Sequence, residues 1–145
     1  MNLTIFKSKN EVNEKWYLID AKNKNLGRLS SSIAYILRGK NSSDYAPNTN
    51  LKHHVIIINA KEIHVTGDKN NQKLYRRHSG RPGGMKIETF QKLSERIPTR
   101  IIEHSIKGML PKGPLGRKLF TQLKVYEANN HPHEAQKPEI VELSI

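Results

Sequence analysis

The chain has 145 residues, with 25 lysines and arginines against 13 aspartates and glutamates, which gives a formal net charge of +12 at pH 7. This length suits a single domain with a modest core over residues 1–145. Because no cysteine is present, disulfides, thiolate metal sites and a cysteine nucleophile are excluded. Self-repulsion at this charge favours a polyanionic partner, with nucleic acid as the first candidate and an acidic membrane surface as the second.

Residues 1–15 are predicted to form a polar arm. They contain no apolar signal core, and Glu11 and Glu14 argue against an import presequence. No stretch of the chain approaches the roughly 20 apolar residues that a membrane helix needs. We therefore expect a protein that works in the compartment where it is made, with no membrane partner.

The next segments indicate strand, helix and strand. WYLIDA (16–21) is a continuous apolar run that predicts a buried strand. Asn25 is well placed to cap the amphipathic helix that follows, and Gly39 to end it. HVIIINA (54–60) predicts a second buried strand. Apolar strands of this parallel type, joined by a helix, indicate an α/β layer fold.

Two shorter segments follow the second strand. EIHVTG (62–67) is predicted to form a short third strand, and KLYRRHS (73–79) alternates well enough to form another. Beyond them, Phe90, Leu93 and Ile97 mark a short helix by their spacing.

Prolines divide the rest of the second half into helices. Pro98 is well placed to start a helix that ends before Pro111, and Pro114 to start the last helix. The first of these helices is predicted to bury Ile101, Ile102, Ser105, Ile106, Met109 and Leu110. The last is predicted to bury Leu115, Leu119, Phe120 and Leu123. A short strand at KVY (124–126) and an extended tail over residues 131–145 complete the prediction.

Basic residues cluster in three windows without any acidic residue: 21–43, 69–87 and 104–126. The second window contains HSGRPGG (78–84), and the third contains KGMLPKGPLGR (107–117). Glycine lets a backbone approach another molecule closely, and proline fixes the path of the chain. Phosphate contact depends on the number of cations and not on sequence. The windows therefore predict binding to a nucleic-acid backbone.

The type of nucleic acid follows from the motifs that are missing. The sequence contains no pattern typical of a helix-turn-helix, a zinc finger or an aromatic RNA-binding strand. A folded RNA that is recognised by shape and phosphate is therefore favoured over duplex DNA. Tyr45 and Tyr75 are candidates for stacking on exposed bases, with packing in the core or at its rim as the alternative.

Patterns for phosphate loops and metals are weak. The turn at 107–117 has the glycine spacing of a phosphate loop, but Pro114 and Leu115 occupy the positions that need Lys and Ser or Thr. His131 and His133 form a pair without a third ligand nearby, which is weak evidence for a metal. We therefore expect no cofactor and no metal.

Asp20 is the one candidate for a catalytic acid. It lies at the end of a predicted strand beside the start of a helix, where α/β enzymes often place such a group. The alternative is that Asp20 caps the backbone or pairs with an arginine. Asp20 together with HSGRPGG (78–84) defines a rival interpretation, a small α/β enzyme with a nucleotide substrate.

Several segments together resemble the family of ribosomal large-subunit protein thirteen. They include NLGRLSSSIAYILRGK (25–40), IINAKEIHVTGDK (57–69), KLYRRHSGRPGGMKIETF (73–90) and KGMLPKGPLGRKLFTQLKVY (107–126). The resemblance covers about residues 16–138. The versions RRHSGRPGGMK and EHSIKGMLPK look most like the cyanobacterial and plastid branch.

The resemblance implies a three-layer α/β/α sandwich around a small, mostly parallel sheet, and no enzymatic activity. It implies a structural constituent of the large subunit that contacts large-subunit ribosomal RNA and joins during early assembly. The expected partners are that RNA and neighbouring large-subunit proteins, without a small-molecule substrate. The residues implied to contact RNA are Arg28, Arg38, Lys40, Arg76, Arg77, His78, Arg81, Lys86, Lys107, Lys112, Arg117 and Lys118.

In the basic turn at 107–117, the glycines, prolines and cations are predicted to have different roles. Gly108, Gly113 and Gly116 are predicted to let the backbone approach RNA closely, while Pro111 and Pro114 hold the path of the chain. The cations of this turn would neutralise phosphates that the fold of the RNA has crowded together.

One departure from the family lies just before the second strand. The family usually carries Gly-Asp there, and this chain has Lys52 and His53. The change removes a carboxylate that a cap or ion pair would use, and the added positive charge favours RNA.

The expected location is a ribosome in the plastid stroma. The many Asn, Lys and Ile residues indicate an AT-rich genome, and the motifs resemble the cyanobacterial and plastid branch. The alternative is a bacterial cytoplasmic ribosome. A regulator that binds RNA away from the ribosome is a second rival function.

Overall fold

The structure is a computed structural model that describes residues 14–143. The strands of its central sheet are β1 (Lys15–Asp20), β2 (His53–Ile58), β5 (Leu123–Val125) and β6 (Glu139–Ile140). They lie in the order β5-β2-β1-β6, and every neighbouring pair is parallel. The predicted α/β fold with a small, mostly parallel sheet is confirmed. Most of the predicted polar arm, residues 1–13, lies outside the described residues.

Five helices connect the strands of the described part of the chain. They are α1 (Leu26–Arg38), α2 (Lys69–Gln72), α3 (Phe90–Arg96), α4 (Pro98–Met109) and α5 (Pro114–Thr121). The side chain of Asn25 caps α1 by accepting a hydrogen bond from the Gly27 amide, and Gly39 ends the helix, both as predicted. Pro98 and Pro114 begin α4 and α5, which is also as predicted. Within residues 14–143, no helix has the length and apolar character that crossing a membrane requires.

The main core lies between one face of the sheet and the helices α1 and α4. Val55 and Ile57 of β2 contribute to it, while Ile56 and Ile58 are buried as well. The strand is therefore apolar on both faces, which explains its continuous apolar run. The large apolar side chains that are fully buried on the two helices are Leu29, Ile33, Leu37, Ile101, Ile102 and Ile106.

The second face of the sheet carries an aromatic cluster. Trp16 of β1 stacks on His54 of β2, with 4.2 Å between ring centroids, and lies 5.4 Å from the ring of His133. The hydroxyl of Tyr126 is 2.8 Å from Nε2 of His133. The segment after β5 thus packs on this face before β6 pairs with β1.

The predicted strand at 62–67 is wrong. The chain instead forms a 3₁₀ turn at Ala60–Glu62, and His64 makes only an isolated bridge with Asn25. Ile63 and Val65 are both buried, which explains the alternation in the sequence. Asn59, with a φ of 56°, turns the chain away from the sheet before a strand can form.

A separate hairpin stands beside the central sheet. The predicted strand at 73–79 is observed as β3 (Leu74–His78). It pairs in antiparallel fashion with β4 (Met85–Thr89), which the sequence did not predict.

The burial of α4 differs from its prediction at Ser105, which is only half-buried, and at Met109. Met109 is 46% exposed, whereas Leu110, the residue after the helix, is buried. The chain leaves helical geometry at Leu110, so this residue turns into the core in place of Met109. The turn that follows, residues 110–113, connects α4 to α5.

Candidate nucleic-acid interface

A glycine-rich turn forms the tip of the β3–β4 hairpin. The Ser79 amide donates to the Gly84 carbonyl, and the Gly84 amide donates to the Arg81 carbonyl, at 3.1 and 2.9 Å. Gly80 and Gly83 adopt φ values of 89° and 70°, which glycine tolerates best. The turn therefore depends on its glycines, and Arg81 is exposed on it.

His78 at the end of β3 is tied to this turn. Its Nδ1 accepts a hydrogen bond of 2.9 Å from the Gly80 amide. This contact fixes the tautomer, because Nδ1 must lack a proton to accept. The exposed Nε2 of neutral His78 then carries the hydrogen, so the ring offers a donor to an anion.

The two strands of the hairpin place like charges opposite each other. Arg77 pairs directly with Lys86 in the β3–β4 register, and Tyr75 pairs with Glu88 on the same face. Directly opposed like charges destabilise a sheet unless something neutralises them. This arrangement therefore favours an anion at the face that carries Arg77 and Lys86.

That face borders a groove between the hairpin and the helices α3 and α4. We call it the hairpin groove. The basic residues and histidine that line it are Arg76, Arg77, Lys86, Arg96, Arg100 and His104. The side chain of Arg76 lies on the opposite face of β3 from that of Arg77, because successive residues of a strand alternate. Among the described residues, the acidic one that lines the groove, Glu88, is already paired with Arg96 at 2.6 Å.

A second groove joins the first and third basic windows. We call it the helix groove, because α1 forms one wall and the end of α4 the other. It is lined by Ser31, Ala34, Tyr35, Arg38, Lys40, Met109, Leu110 and Pro111. The structure thus brings Arg38 and Lys40 beside the turn that precedes α5.

Two of the predicted RNA-contacting residues also make contacts within the protein. Arg38 donates from Nη2 to the Pro47 carbonyl at 2.7 Å and lies 5.8 Å above the ring centre of Tyr45. Lys107 places its Nζ 5.6 Å from the ring centre of Phe120. Both cations are therefore partly positioned by the fold itself.

The prediction for Gly116 is wrong. Gly116 is buried in α5, and a Cβ built on it would coincide with the carbonyl oxygen of Pro111. Its role is to let the turn close against the helix, and its backbone is not offered to RNA. Gly108 and Gly113 have nothing within 4 Å of a built Cβ, so their backbones are open.

The remaining predicted cations lie on exposed surfaces of different elements. Arg28 lies on α1, Lys112 on the turn before α5, and Arg117 and Lys118 on α5. None of these four lines the hairpin groove. The predicted set is therefore carried by several elements, and only part of it lines the hairpin groove.

Sequence reasoning missed three side chains of the hairpin groove: Arg96, Arg100 and His104. Glu95 and Glu103 lie near Arg96 and Arg100 in sequence, which placed these two arginines outside the acid-free windows, whereas His104 is the first residue of the third window. The spacing of Arg100 and His104 was the available signal, because residues four apart share one helix face.

The tyrosines proposed for stacking are engaged in the protein. Tyr45 lies under Arg38, and Tyr75 contacts His104 edge-on with 5.6 Å between ring centroids. Burial raises the pKa of the Tyr75 hydroxyl above its ordinary value. Packing at the rim, the alternative given for both residues, describes them better.

Asp20, the candidate catalytic acid, accepts hydrogen bonds from within the protein. Oδ1 of Asp20 accepts from the Lys22 amide and from Nδ2 of Asn59, each at 2.9 Å. It thereby links the ends of β1 and β2. The capping interpretation of Asp20 fits these contacts.

The candidate metal pair is also occupied by hydrogen bonds. Nδ1 of His131 accepts from the His133 amide, and Nε2 of His133 contacts the hydroxyl of Tyr126. Across residues 14–143, no three His, Cys, Asp or Glu side chains are grouped closely enough to hold a metal.

The chain matches a family model described as ribosomal protein L13 over residues 14–132. It is 59% identical over 139 residues to large ribosomal subunit protein uL13 of Rippkaea orientalis, covering 96% of this chain and 92% of that protein. It is 60% identical over 144 residues to the uL13 protein of Crocosphaera subtropica, with 99% and 95% covered.

A relative that is named uL13c has a similar level of sequence identity. Large ribosomal subunit protein uL13c of Porphyra purpurea is 61% identical over 128 residues, covering 88% of this chain and 90% of that protein. These relatives are ribosomal proteins and not enzymes, as the resemblance implied. A family match over most of the chain and identities near 60% lead to one conclusion: the chain belongs to the ribosomal protein L13 family.

Proposed function

We propose that this protein is a structural constituent of the large ribosomal subunit that binds large-subunit ribosomal RNA and helps to organise it during assembly. Its partners are that RNA and neighbouring large-subunit proteins. The basic turns of the hairpin and of the α4–α5 connection, rich in glycine and proline, make the contacts. The names of the relatives support the ribosomal part of this proposal.

The observation that carries RNA binding is the hairpin groove. Arg77 and Lys86 oppose each other across the strands, and Arg100 of α4 lines the same groove. Glu88 neutralises only Arg96. A phosphodiester backbone in this groove would supply the negative charge that the opposed cations need.

The first test is sedimentation of a native lysate at moderate and high salt. We expect the protein to follow the large subunit through a salt wash that strips loosely held basic proteins. A protein that stays at the top of the gradient at its own mass would contradict the ribosomal role. A large pool in the light, RNA-containing fractions would instead favour a regulator that acts away from the ribosome.

The second test measures the affinity of the protein for large-subunit ribosomal RNA as a function of salt. Lys86→Ala removes one phosphate contact, so we expect weaker binding and a salt slope smaller by about 1. Lys112→Ala, in the α4–α5 turn, should likewise weaken RNA binding and reduce the salt slope by about 1. Lys61→Ala, on an exposed 3₁₀ turn that lines neither groove, is the matched control.

The rival enzyme predicts a different result. A nucleotide-binding pocket centred on Asp20 would bind one nucleotide tightly with weak dependence on salt. Asp20→Asn would then abolish nucleotide binding, whereas we expect Asp20→Asn to leave RNA affinity unchanged. An unchanged salt slope in both Lys86→Ala and Lys112→Ala would refute the proposed contacts.

The compartment is the plastid in this proposal. The relatives from Porphyra purpurea and Pyropia yezoensis carry the name uL13c, with 61% and 60% identity. The cyanobacterial relatives are as similar, which keeps a bacterial cytoplasmic ribosome as the alternative. Fractionation of the source cells, with the protein followed in isolated plastids, decides between the two.

A further inference from the structure

We propose that the helix groove holds an unpaired nucleobase of RNA, stacked on the ring of Tyr35. This inference rests on the proposed function and deepens it, since it names a base-binding position in a protein otherwise expected to contact phosphates. The occupant is an RNA base and not a protein side chain.

Tyr35 is the exposed tyrosine of the described residues. Half of its surface, 50%, is accessible, whereas Tyr17 is buried and the tyrosines at 45, 75 and 126 are half-buried. Within residues 14–143, its ring stacks on no other ring or cation, and its hydroxyl makes no hydrogen bond. An aromatic ring presented in this way on a rigid helix is preorganised for stacking.

Tyr35 borders two grooves. It lines the helix groove beside Met109 and Pro111, and it lines a second groove with Ile36 and Leu143. A planar ligand therefore has open space beside Tyr35.

The surroundings of the ring combine an apolar wall with cations. Ala34, Leu110 and Pro111 supply apolar surface in the helix groove, and Arg38 and Lys40 supply charge. No acidic residue is among the described residues that line it. A nucleobase has apolar faces and is attached to a phosphate, so it matches both parts of this surface.

Basic residues also lie on both sides of Tyr35 along α1. Arg28, Tyr35 and Arg38 lie seven and three residues apart, a spacing that places them on one face of α1. A nucleotide whose base stacks on Tyr35 would therefore have cations on either side for its neighbouring phosphates. An apolar protein side chain in the same groove would leave those cations without counter-charges.

The groove offers little to distinguish one base from another. The hydroxyl of Ser31, which lines the groove, already donates to the Arg28 carbonyl at 2.8 Å. Its hydrogen is therefore used within the helix. Stacking tolerates every base, so we expect weak base preference at this position.

The test compares three variants in binding to large-subunit ribosomal RNA from the source organism. Tyr35→Ala removes the ring, Tyr35→Phe keeps the stacking surface, and Tyr35→Leu keeps an apolar side chain that cannot stack. We expect Tyr35→Ala and Tyr35→Leu to bind about 5- to 150-fold more weakly, which is the range for loss of one aromatic–base stack. Tyr35→Phe should bind like the wild type.

The salt dependence of RNA binding distinguishes a stacking contact from an electrostatic one. Because Tyr35 carries no charge, the salt slope of Tyr35→Ala should equal that of the wild type. A smaller slope would show that cations had been displaced and would overturn the stacking role. Thermal unfolding of each variant checks the fold, and the exposed position of Tyr35 predicts little change.

Other outcomes separate this inference from the function on which it rests. If the wild type does not bind the RNA, the proposed function fails. If the wild type binds and Tyr35→Ala binds equally well, only the inference fails. A loss in Tyr35→Ala that Tyr35→Leu restores would show an apolar contact and overturn the base as occupant.

A direct measurement does not depend on any variant. Ultraviolet irradiation of native large subunits, followed by mass spectrometry, should give a nucleotide adduct on the peptide that carries Tyr35. An adduct between that peptide and a neighbouring protein would assign the groove to a protein partner and overturn the proposal.

Discussion

The carbonyl oxygen of Pro111 occupies the place where a side chain on Gly116 would begin. The turn before α5 is therefore closed against the first turns of the helix it precedes. Lys112 projects from that turn and Arg117 from that helix, so this contact fixes the relative placement of two proposed RNA-binding cations.

Gly116→Ala should destabilise the protein by about 1 to 3 kcal/mol, because the added methyl group must displace backbone and not a flexible side chain. Gly108→Ala is the matched control. Nothing lies within 4 Å of its built Cβ, and alanine favours a helix over glycine by about 0.5 to 1 kcal/mol. Denaturant unfolding measures both, and equal stability of the two variants would contradict the contact.

Lys52 has a backbone conformation that glycine prefers. Its φ is 52°, which costs an L-residue roughly 1 to 2 kcal/mol. Its Nζ pairs with Glu14 at 3.4 Å, an exposed ion pair of small value.

Comparing two substitutions of Lys52 isolates the backbone cost. Lys52→Ala and Lys52→Gly both lose the pair with Glu14, but only glycine relieves the strained φ. We expect Lys52→Gly to be about 1 kcal/mol more stable than Lys52→Ala in denaturant unfolding. An alanine variant that is the more stable would show that this φ carries no strain.

The sequence predicted those elements whose signals are local. The cap at Asn25, the apolar run of β2 and the prolines that start α4 and α5 are all read from neighbouring residues. The strand β4 was missed because it is short and lacks the continuous apolar run that marked β2. It pairs with β3 across the glycine-rich turn.

The candidate site was less predictable because it depends on which elements pack together. The acid-free windows identified Arg77 and Lys86, but the cations that face them across the groove lie on helices outside those windows. The exposure of Tyr35 follows from its position on the outer face of α1. Only the packing of the end of α4 against α1 makes that position part of a groove.

Arg38 should matter for a loop as well as for RNA. Its hydrogen bond to the Pro47 carbonyl and its place over Tyr45 hold the segment between α1 and β2. Arg38→Ala should cost about 1.5 to 2 kcal/mol, the lower part of the range for a hydrogen bond to a charged group, because the side chain is half-buried.

Limited proteolysis measures how well Arg38 holds this loop in place. Without Arg38, chymotrypsin should cleave after Tyr45 faster than in the wild type, and mass spectrometry identifies the cut. Arg28→Ala, an exposed arginine on the same helix, should leave the cleavage rate unchanged. Equal cleavage of the two variants would argue against a tethering role.

Three histidines make the stability of the fold depend on pH. Burial lowers the pKa of His53, His54 and His133 below 6.5, the ordinary value for histidine. Repulsion from Lys15 at His53, and from Lys124 at the other two, lowers each pKa further. His53 is nevertheless held by a contact of 3.1 Å between its Nδ1 and the Ile36 carbonyl.

The sign of the effect follows from proton counting. Below pH 6.5 the unfolded chain binds more protons at these histidines than the folded protein, so the free energy of unfolding falls as the pH falls. The stability that these neutral histidines contribute is fully present above pH 6.5. Each histidine contributes a slope of at most about 1.4 kcal/mol per pH unit.

His54→Phe tests this linkage without removing the packing. Phenylalanine keeps a ring against Trp16 and removes Nδ1 of His54, a buried atom without a hydrogen-bond partner. At pH 7.5 the variant should therefore be at least as stable as the wild type. Between pH 6.5 and 5 its unfolding free energy should fall less steeply, because one depressed pKa has been removed. A slope equal to that of the wild type would show that His54 does not couple proton binding to folding.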